Sequence, residues 1–166
     1  MAHLLACIAA VFLIAAPLRA ADATDELRLT VIEPFTIAKT EDLRFGLLTV
    51  EGAGTVSIDA ASGERTITGG VTGLGSGFGP AIFTTRGESN GRVRIRIAER
   101  KAVLTHAGGT AQLTVRRLRH SLRGNRRQRL DEAGYLTFGV GGRLNIRANQ
   151  PLGTYEGTFT VEAQYE

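Results

Sequence analysis

The closing residues Gly153–Glu166, "GTYEGTFTVEAQYE", alternate apolar or small side chains with polar ones in steps of two. This period is typical of a β-strand with one buried face. The pattern predicts a strand in which Phe159 and Val161 face a core, and it raises the question of what the last aromatic residue, Tyr165, packs against. The apolar parity consists of Tyr155, Gly157, Phe159, Val161, Ala163 and Tyr165.

The rest of the chain repeats short strand-turn-strand signals, and helical periodicity is nearly absent. Turn residues separate β-rich segments at Gly63, Asn90–Gly91, Ala107–Gly109 and Gly141–Gly142. Each is predicted to close a hairpin, and Asn90–Gly91 is the strongest of these signals. The series predicts an all-β fold, an immunoglobulin-like β-sandwich of about seven to nine antiparallel strands.

Two further segments are predicted to be loops. Residues 69–79 contain six glycines but no GxGxxG motif, which favours a flexible connector between the two sheets over a nucleotide site. Residues 123–134, "RGNRRQRLDEAG", are predicted to form an exposed loop before a strand that starts at Tyr135.

Residues 1–20, "MAHLLACIAAVFLIAAPLRA", match a secretory signal peptide. An apolar run from Leu4 to Ala16 precedes Pro17 and small residues, as in the hydrophobic and cleavage regions of such signals. The run is shorter than the ~20 residues of a membrane span, which favours a signal over the alternative of an N-terminal anchor. The sequence thus predicts export to the periplasm, cell surface or a fimbrium, with no transmembrane span after signal removal.

Groups that carry catalysis or bind metals are scarce. Cys7 is the only cysteine and belongs to the predicted signal, while His106 and His120 lack HExxH or CxxC companions. Ser89 has the GxSxG spacing in "GESNG" (87–91), but the strand-to-strand turn predicted at Asn90–Gly91 is not the strand-to-helix elbow that exposes such a nucleophile. We therefore expect no enzymatic activity, no catalytic residues, no metal and no cofactor, and we expect the two histidines near surface turns.

Positive charge is concentrated between Arg86 and Arg129, with thirteen Lys or Arg against two acidic residues. In "RVRIRI" the arginines alternate with apolar residues, so they form an outer row spaced about 6.6 Å apart. Such a face is a candidate site for an anionic polysaccharide or lipopolysaccharide, or it is simply solvated. Aromatic residues are missing here, which argues against specific nucleic-acid binding. The candidate residues are Arg92, Arg94, Arg96, Arg116, Arg117, Arg119, Arg126 and Arg127.

Four segments carry a resemblance to a known family: "IAKTEDLRFG" (37–46), "GTVSIDAASGERTITGGV" (54–71), "PAIFTTRGE" (80–88) and "FGVGGRLNIRANQPLGTYEGTFTVEAQY" (138–165). In this order they resemble secreted bacterial domains of unknown function that are thought to be related to fimbrial major subunits of the meningitis-associated and common pilus type. The chain departs from the family at 116–129, where a basic tract replaces a polar loop. The resemblance implies a structural subunit.

The closing stretch is also similar to the terminal motif that periplasmic chaperones recognise in chaperone-usher pilins. In those pilins a strand of the chaperone, and later the N-terminal extension of the next subunit, pairs beside this edge. The likeness implies a homo-polymer with a periplasmic chaperone and usher as partners. It also implies an assembly strand formed by Gly153, Tyr155, Phe159, Val161 and Tyr165.

A candidate donor arm precedes the shared region. "DELRLTVIEP" (25–34) places Leu27, Leu29 and Val31 on one parity ahead of Pro34, which interrupts strand pairing. The arm is either exchanged with a neighbouring subunit or forms the first strand of its own sandwich. We accordingly divide the chain into a signal peptide (1–20), an N-terminal arm or first strand (21–36) and a fimbrial-subunit-like β-sandwich domain (37–166).

Two functional hypotheses follow from these patterns. The first is an exported structural or adhesive subunit of fimbrial type, assembled by strand exchange. The second is a monomeric periplasmic or surface module that binds anionic polymers through its arginine-rich face.

Overall fold

The backbone forms antiparallel strands, as the alternating sequence predicts. A computed structural model of the protein describes residues 34–124 and 127–166, and this part of the chain contains eleven β-strands and no helix. The predicted signal peptide, the donor candidates Leu27, Leu29 and Val31, and Arg126 lie outside the described residues. The strands are β1 (Thr36–Glu41), β2 (Leu47–Ile58), β3 (Arg65–Leu74), β4 (Ala81–Arg86), β5 (Arg92–Ile97), β6 (Lys101–His106), β7 (Gln112–His120), β8 (Arg127–Arg129), β9 (Tyr135–Ile146), β10 (Tyr155–Glu156) and β11 (Val161–Tyr165).

The larger sheet is organised around β9, which is paired along both edges. The first half of β9 pairs with β4 and the second half with β2 on the same edge, while β7 pairs along the opposite edge. Strand β1 extends the sheet from β4, β3 extends it from β2, and β6 and β10 extend it from β7. The described residues thus form one eight-stranded sheet with β9 at its centre.

Side-chain alternation in this sheet produces a continuous buried row. Its five members are cross-strand neighbours on β6, β7, β9, β2 and β3. All but the last are fully buried, and burying a Val or Leu side chain contributes about 1.5 to 3 kcal/mol. The inner row, which forms the centre of the core, consists of Ala102, Val115, Leu144, Val56 and Ile67.

The smaller sheet, in the order β11-β5-β8, packs on the inner face of the larger one. Val93 and Ile95 of β5 and Leu130 after β8 are at most 1% exposed. The prediction of an all-β sandwich is confirmed. The strand number exceeds the prediction because β8 and β10 have only three and two residues, which is too short for a recognisable alternation.

Two of the four predicted hairpins are present. Strands β6 and β7 pair around Ala107–Gly109, and β2 and β3 pair around a turn in which Gly63 has a φ of 72°. In the second turn the Asp59 carboxylate accepts hydrogen bonds from the backbone of Ser62 and Ala61 at 2.8 and 2.9 Å. These hydrogen bonds hold the pKa of Asp59 below its ordinary value, and the bond from Ser62 has the largest effect.

The predicted hairpin at Asn90–Gly91 is wrong. Strand β4 pairs with β1 and β9 in the larger sheet, whereas β5 pairs with β11 and β8 in the smaller one. Asn90 has the left-handed φ of 58° that an Asn-Gly turn favours, and its N–H donates to the carbonyl of Asp131 at 3.0 Å. The dipeptide determines the local backbone conformation. The two flanking strands nevertheless do not pair, because they belong to different sheets and bury their apolar faces from opposite sides of the core.

The predicted turn at Gly141–Gly142 is also wrong, because both glycines lie inside β9. A Cβ on Gly141 would overlap the carbonyl oxygen of Ile58, and a Cβ on Gly139 would overlap that of Ala60. The turn between β2 and β3 therefore lies directly against the outer face of β9. Glycine is required here for close approach of two backbones.

The two predicted loops contain strand residues. Strand β3 extends through the glycine-rich segment to Leu74, and residues 75–80 connect it to β4 in the same sheet, so the segment does not cross between sheets. The basic segment 123–134 includes β8, which pairs with β5, and the buried Leu130. Both predictions are wrong because long-range pairing holds in strands glycine and arginine residues whose composition is typical of loops.

We predict that Gly141→Ala lowers the free energy of unfolding by about 1 to 3 kcal/mol, because the new methyl group must displace backbone atoms of Ile58 and Ala60. Gly77→Ala is the matched control, since nothing lies within 4 Å of its Cβ position, and it should change stability by about 0.5 kcal/mol or less. Chemical denaturation measures the difference. Equal stability of the two variants would mean that the turn does not rest on β9.

Candidate functional site

An open apolar groove lies over the inner face of the larger sheet. It has a volume of about 1000 Å³. Its lining is completed by Lys39, Gly77 and residues within the two segments 42–50 and 150–159. The side chains contributed by the sheet are Ala81, Phe83, Ala102, Leu104, Leu113, Val115, Leu118, Leu144 and Ile146.

Large apolar side chains of both lining segments are exposed to solvent. Leu47 is 68% exposed and Leu152 is 84% exposed. Single exposed leucines are common on proteins, but these two adjoin an extended apolar surface. This combination is typical of a surface that binds another apolar segment.

The groove residues of segment 42–50 are not among the residues predicted from the sequence. The one available signal is the adjacent pair Leu47–Leu48, because consecutive apolar residues on a strand place one of them on the solvent face. In the structure Leu48 is half-buried and Leu47 is exposed.

Strand β11 has an open edge, since among the described residues it pairs only with β5. The N–H of Ala98 donates to the carbonyl of Thr160, and the N–H of Glu166 donates to that of Arg92, both at 3.0 Å. Even-numbered residues of β11 therefore direct their backbone groups to β5, and the odd-numbered ones direct theirs away from it. The residues of β11 whose backbone groups point away from β5 include Val161 and Ala163.

The residues predicted to form an assembly strand divide between the groove and this edge. Gly153, Tyr155 and Phe159 line the groove, whereas Val161 and Tyr165 lie on β11. The Phe159 ring packs edge-on against Phe83, with 6.1 Å between centroids. From Phe159 to Tyr165 the apolar parity is half-buried and the alternate residues are exposed.

Tyr165 packs against its own domain. Its ring lies 5.2 Å from that of Phe35, centroid to centroid, and its hydroxyl oxygen accepts a hydrogen bond from the N–H of Glu88. Gly87 and Gly91 adjoin the ring so closely that a Cβ on either would contact it. The segment that crosses between the sheets after β4 therefore packs against the Tyr165 ring. Tyr165 is not part of the groove lining.

His106 holds the segment that contains Gly153 and Tyr155. Its Nε2 lies 2.8 Å from the carbonyl oxygen of Leu152, and its Nδ1 accepts a hydrogen bond from the N–H of Gly108 at 3.0 Å. The Tyr155 ring packs edge-on against the imidazole at 5.1 Å. These contacts give His106 a structural role in the groove wall.

Residues 34–124 and 127–166 contain no group of three or more His, Cys, Asp or Glu side chains that could hold a metal ion. His120 packs against Phe138, with 6.5 Å between ring centroids, and its Nδ1 is buried. The same residues include no helix long and apolar enough to cross a membrane.

The outer arginine row of β5 is largely matched by carboxylates of the closing strand. Arg96 donates two hydrogen bonds to Glu162 at 2.9 and 2.7 Å, and Arg94 donates two to Glu166 at 2.8 and 2.5 Å. Arg127 pairs with the second Glu166 oxygen at 2.8 Å. The hydrogen bond from Arg94 is the main cause that holds the pKa of Glu166 below its ordinary value.

The predicted arginine face is split between the two sheets. Arg92, Arg94 and Arg96 lie on the smaller sheet, whereas the exposed Arg116, Arg117 and Arg119 lie on β7 of the larger one. Because the two sheets pack through their inner faces, their outer faces point in opposite directions. The candidate residues that the structure describes thus belong to two separate surfaces.

One family model matches nearly all of the described chain. The match covers residues 35–165, so it begins and ends with Phe35 and Tyr165, the two rings in contact. The protein belongs to the family described as a domain of unknown function, DUF4402. The groove and β11 lie inside this DUF4402 domain, whereas Leu27, Leu29 and Val31 precede it. No curated protein and no solved structure matches the chain.

We predict that Phe159→Ala lowers the free energy of unfolding by about 2 kcal/mol, less than the loss for a fully buried phenylalanine because the ring is half-buried. Thr158→Ala, on the exposed parity, is the control and should change stability by about 0.5 kcal/mol or less. Urea denaturation of both variants measures the difference. A larger effect of Thr158→Ala would reverse the assignment of the two faces.

The ion pairs of Glu166 predict a dependence of stability on pH. Because the pKa of this carboxyl is lowered in the folded chain, its stabilising contribution is complete above its ordinary value of 4.5 and is lost as pH falls through the lower folded value. Glu166→Gln should flatten the fall of the melting temperature in this acidic range. Glu156→Gln is the control and should keep the pH dependence of the unsubstituted chain. If its melting temperature depended on pH as weakly as that of Glu166→Gln, the assignment would be wrong.

Proposed function

We propose that the protein is an exported structural or adhesive subunit of fimbrial type, and that its DUF4402 domain accepts an extended strand from a second copy. The observation that carries this proposal is the apolar groove of about 1000 Å³ together with the open edge of β11. The apolar run in residues 1–20 supports export.

The two features supply complementary parts of a strand-binding site. Backbone groups at an open edge provide the hydrogen bonds of an added strand, and a groove beside the core accepts its alternate side chains. The uncovered edge of β11, and the exposed Leu47 and Leu152 of the groove, would otherwise promote aggregation. A periplasmic chaperone could cover the same surface before assembly.

The arm before the domain has the pattern that such a site requires. Leu27, Leu29 and Val31 share one parity, so one face of an extended arm is apolar. Burying the three side chains would contribute about 1.5 to 3 kcal/mol each before the costs of association. Three anchors are sufficient for a weak contact, which the hydrogen bonds of the ladder would strengthen.

The position of Phe35 favours exchange between chains. Its ring contacts Tyr165, so the described chain starts beside the last residue of β11. An arm of the same chain that paired along β11 would have to run parallel to it, because it ends beside the last residue of β11. An arm from a second copy is free to pair antiparallel, the slightly more stable arrangement.

We predict that deleting residues 24–33 leaves a folded domain that stays monomeric, whereas the chain with the arm forms oligomers. Size-exclusion chromatography with light scattering measures the two states. A synthetic peptide of residues 24–33 should then raise the melting temperature of the shortened chain by several degrees, since a ligand that binds only the folded state stabilises it. Unfolding of the shortened chain would instead identify the arm as an internal strand.

Two controls test the groove itself. A peptide in which Leu27, Leu29 and Val31 are replaced by serine should not raise the melting temperature. Leu152→Asp in the domain should abolish the effect of the native peptide without unfolding the chain, because Leu152 is exposed. Val103→Asp, exposed on the outer face of the same sheet, should have no effect. Equal peptide binding by both aspartate variants would contradict the proposal.

A further inference from the structure

Three cationic residues lie side by side on the outer face of the larger sheet, opposite to the groove. Lys101, Arg116 and Arg143 are direct cross-strand neighbours on β6, β7 and β9. Neighbouring strands are about 4.8 Å apart, and all three side chains are exposed. We define these three residues as the cationic row.

The cationic row is unfavourable in the free protein. Like charges directly opposite each other on adjacent strands repel and destabilise a sheet. Within residues 34–124 and 127–166 none of the three forms an ion pair with a carboxylate, and Arg143 donates only to the hydroxyl of Ser57 at 3.1 Å. A bound anion would remove this repulsion. Arg94 and Arg96 on the smaller sheet differ, because they are already matched by Glu166 and Glu162.

A strained bulge adds charge to the same surface. Between Arg116 and Arg119 the pairing of β7 with β9 shifts by one residue, and Arg117 adopts a φ of 54°. This left-handed conformation is unfavourable for arginine and is readily adopted by glycine. The shift lets Val115 and Leu118 both face the core while the three arginines of the segment are exposed. Such strain is concentrated at functional sites.

A second outer row, next to the cationic row, supplies hydrogen-bonding groups without charge. It runs two residues further along the same strands. Its hydroxyls and amide suit sugar hydroxyl groups, whereas neither row contains an aromatic ring on which a base could stack. The members of this polar row are Thr114, Asn145, Thr55 and Thr68, with Val103 at its end.

We propose that this outer face binds a linear anionic polysaccharide. The cationic row and the arginines of the bulge contact its sulfate or carboxylate groups, and the polar row contacts its hydroxyls. The site is on the opposite side of the sheet from the groove, so it does not depend on strand acceptance. It also differs from the arginine row of the smaller sheet, in which Arg94 and Arg96 are paired with carboxylates of the same domain.

The test compares two triple variants with the same change in net charge, using heparin as the probe and the full mature chain. The row variant is Lys101→Gln, Arg116→Gln, Arg143→Gln. The control is Arg92→Gln, Arg94→Gln, Arg96→Gln. The affinity of the row variant should fall at least tenfold at low salt, and its slope of log affinity against log salt should decrease by about 2 to 3, because released counterions scale with the contacts made. The control should change less than threefold.

Two further measurements separate this site from general charge attraction. Arg116→Gln should raise the melting temperature at low salt and should lose that gain at high salt, since repulsion in the row is screened. Asn145→Ala should lower the affinity for heparin several-fold without changing the slope of log affinity against log salt. The same variant should bind inorganic polyphosphate as tightly as the unsubstituted chain. Equal losses in the row and control variants, or tighter binding of single-stranded DNA than of heparin, would overturn the proposal.

Discussion

Hydrogen bonding along both edges of β9 is the constraint on which the rest of the structure depends. The strand is fixed between β7 on one edge and β4 and β2 on the other, so the parity of its residues decides which side chains of its neighbours are buried. A slip of one residue would exchange the two faces of the sheet. The inner row that includes Leu144 and the outer row that includes Arg143 are consequences of this one register.

The sequence predicted what local chemistry determines. Gly63 closes a hairpin because its positive φ and the Asp59 carboxylate both act within a few residues. Asn90–Gly91 has equally good turn chemistry, yet the partners of its flanking strands are distant in sequence: β4 pairs with β9 and β5 with β11. Gly141 resembled a turn residue, but it is required by the backbone of Ile58. Long-range contacts of this kind leave no local pattern.

The candidate site was predictable to a similar extent. Alternation identified the apolar face of the closing strand, and composition identified the basic segment. The sequence could not indicate that Glu162 and Glu166 neutralise Arg96 and Arg94, because these pairs are 66 and 72 residues apart. Nor could it align Arg116 with Arg143, which required the register of β7 on β9. The groove could not be predicted from the sequence either. Which part of the inner face stays uncovered depends on where both sheets end, and that is decided by long-range pairing.

The contact between Phe35 and Tyr165 places the two boundaries of the DUF4402 domain at one corner of the sandwich. Adjacent boundaries are the geometry that tolerates circular permutation and insertion into a host protein. A short linker could join this corner, and new ends could open at Gly77, where an added Cβ would meet no atom within 4 Å, while every strand pair is retained. The domain is therefore built as a module that a loop of another protein could carry, with both connections leaving from one side.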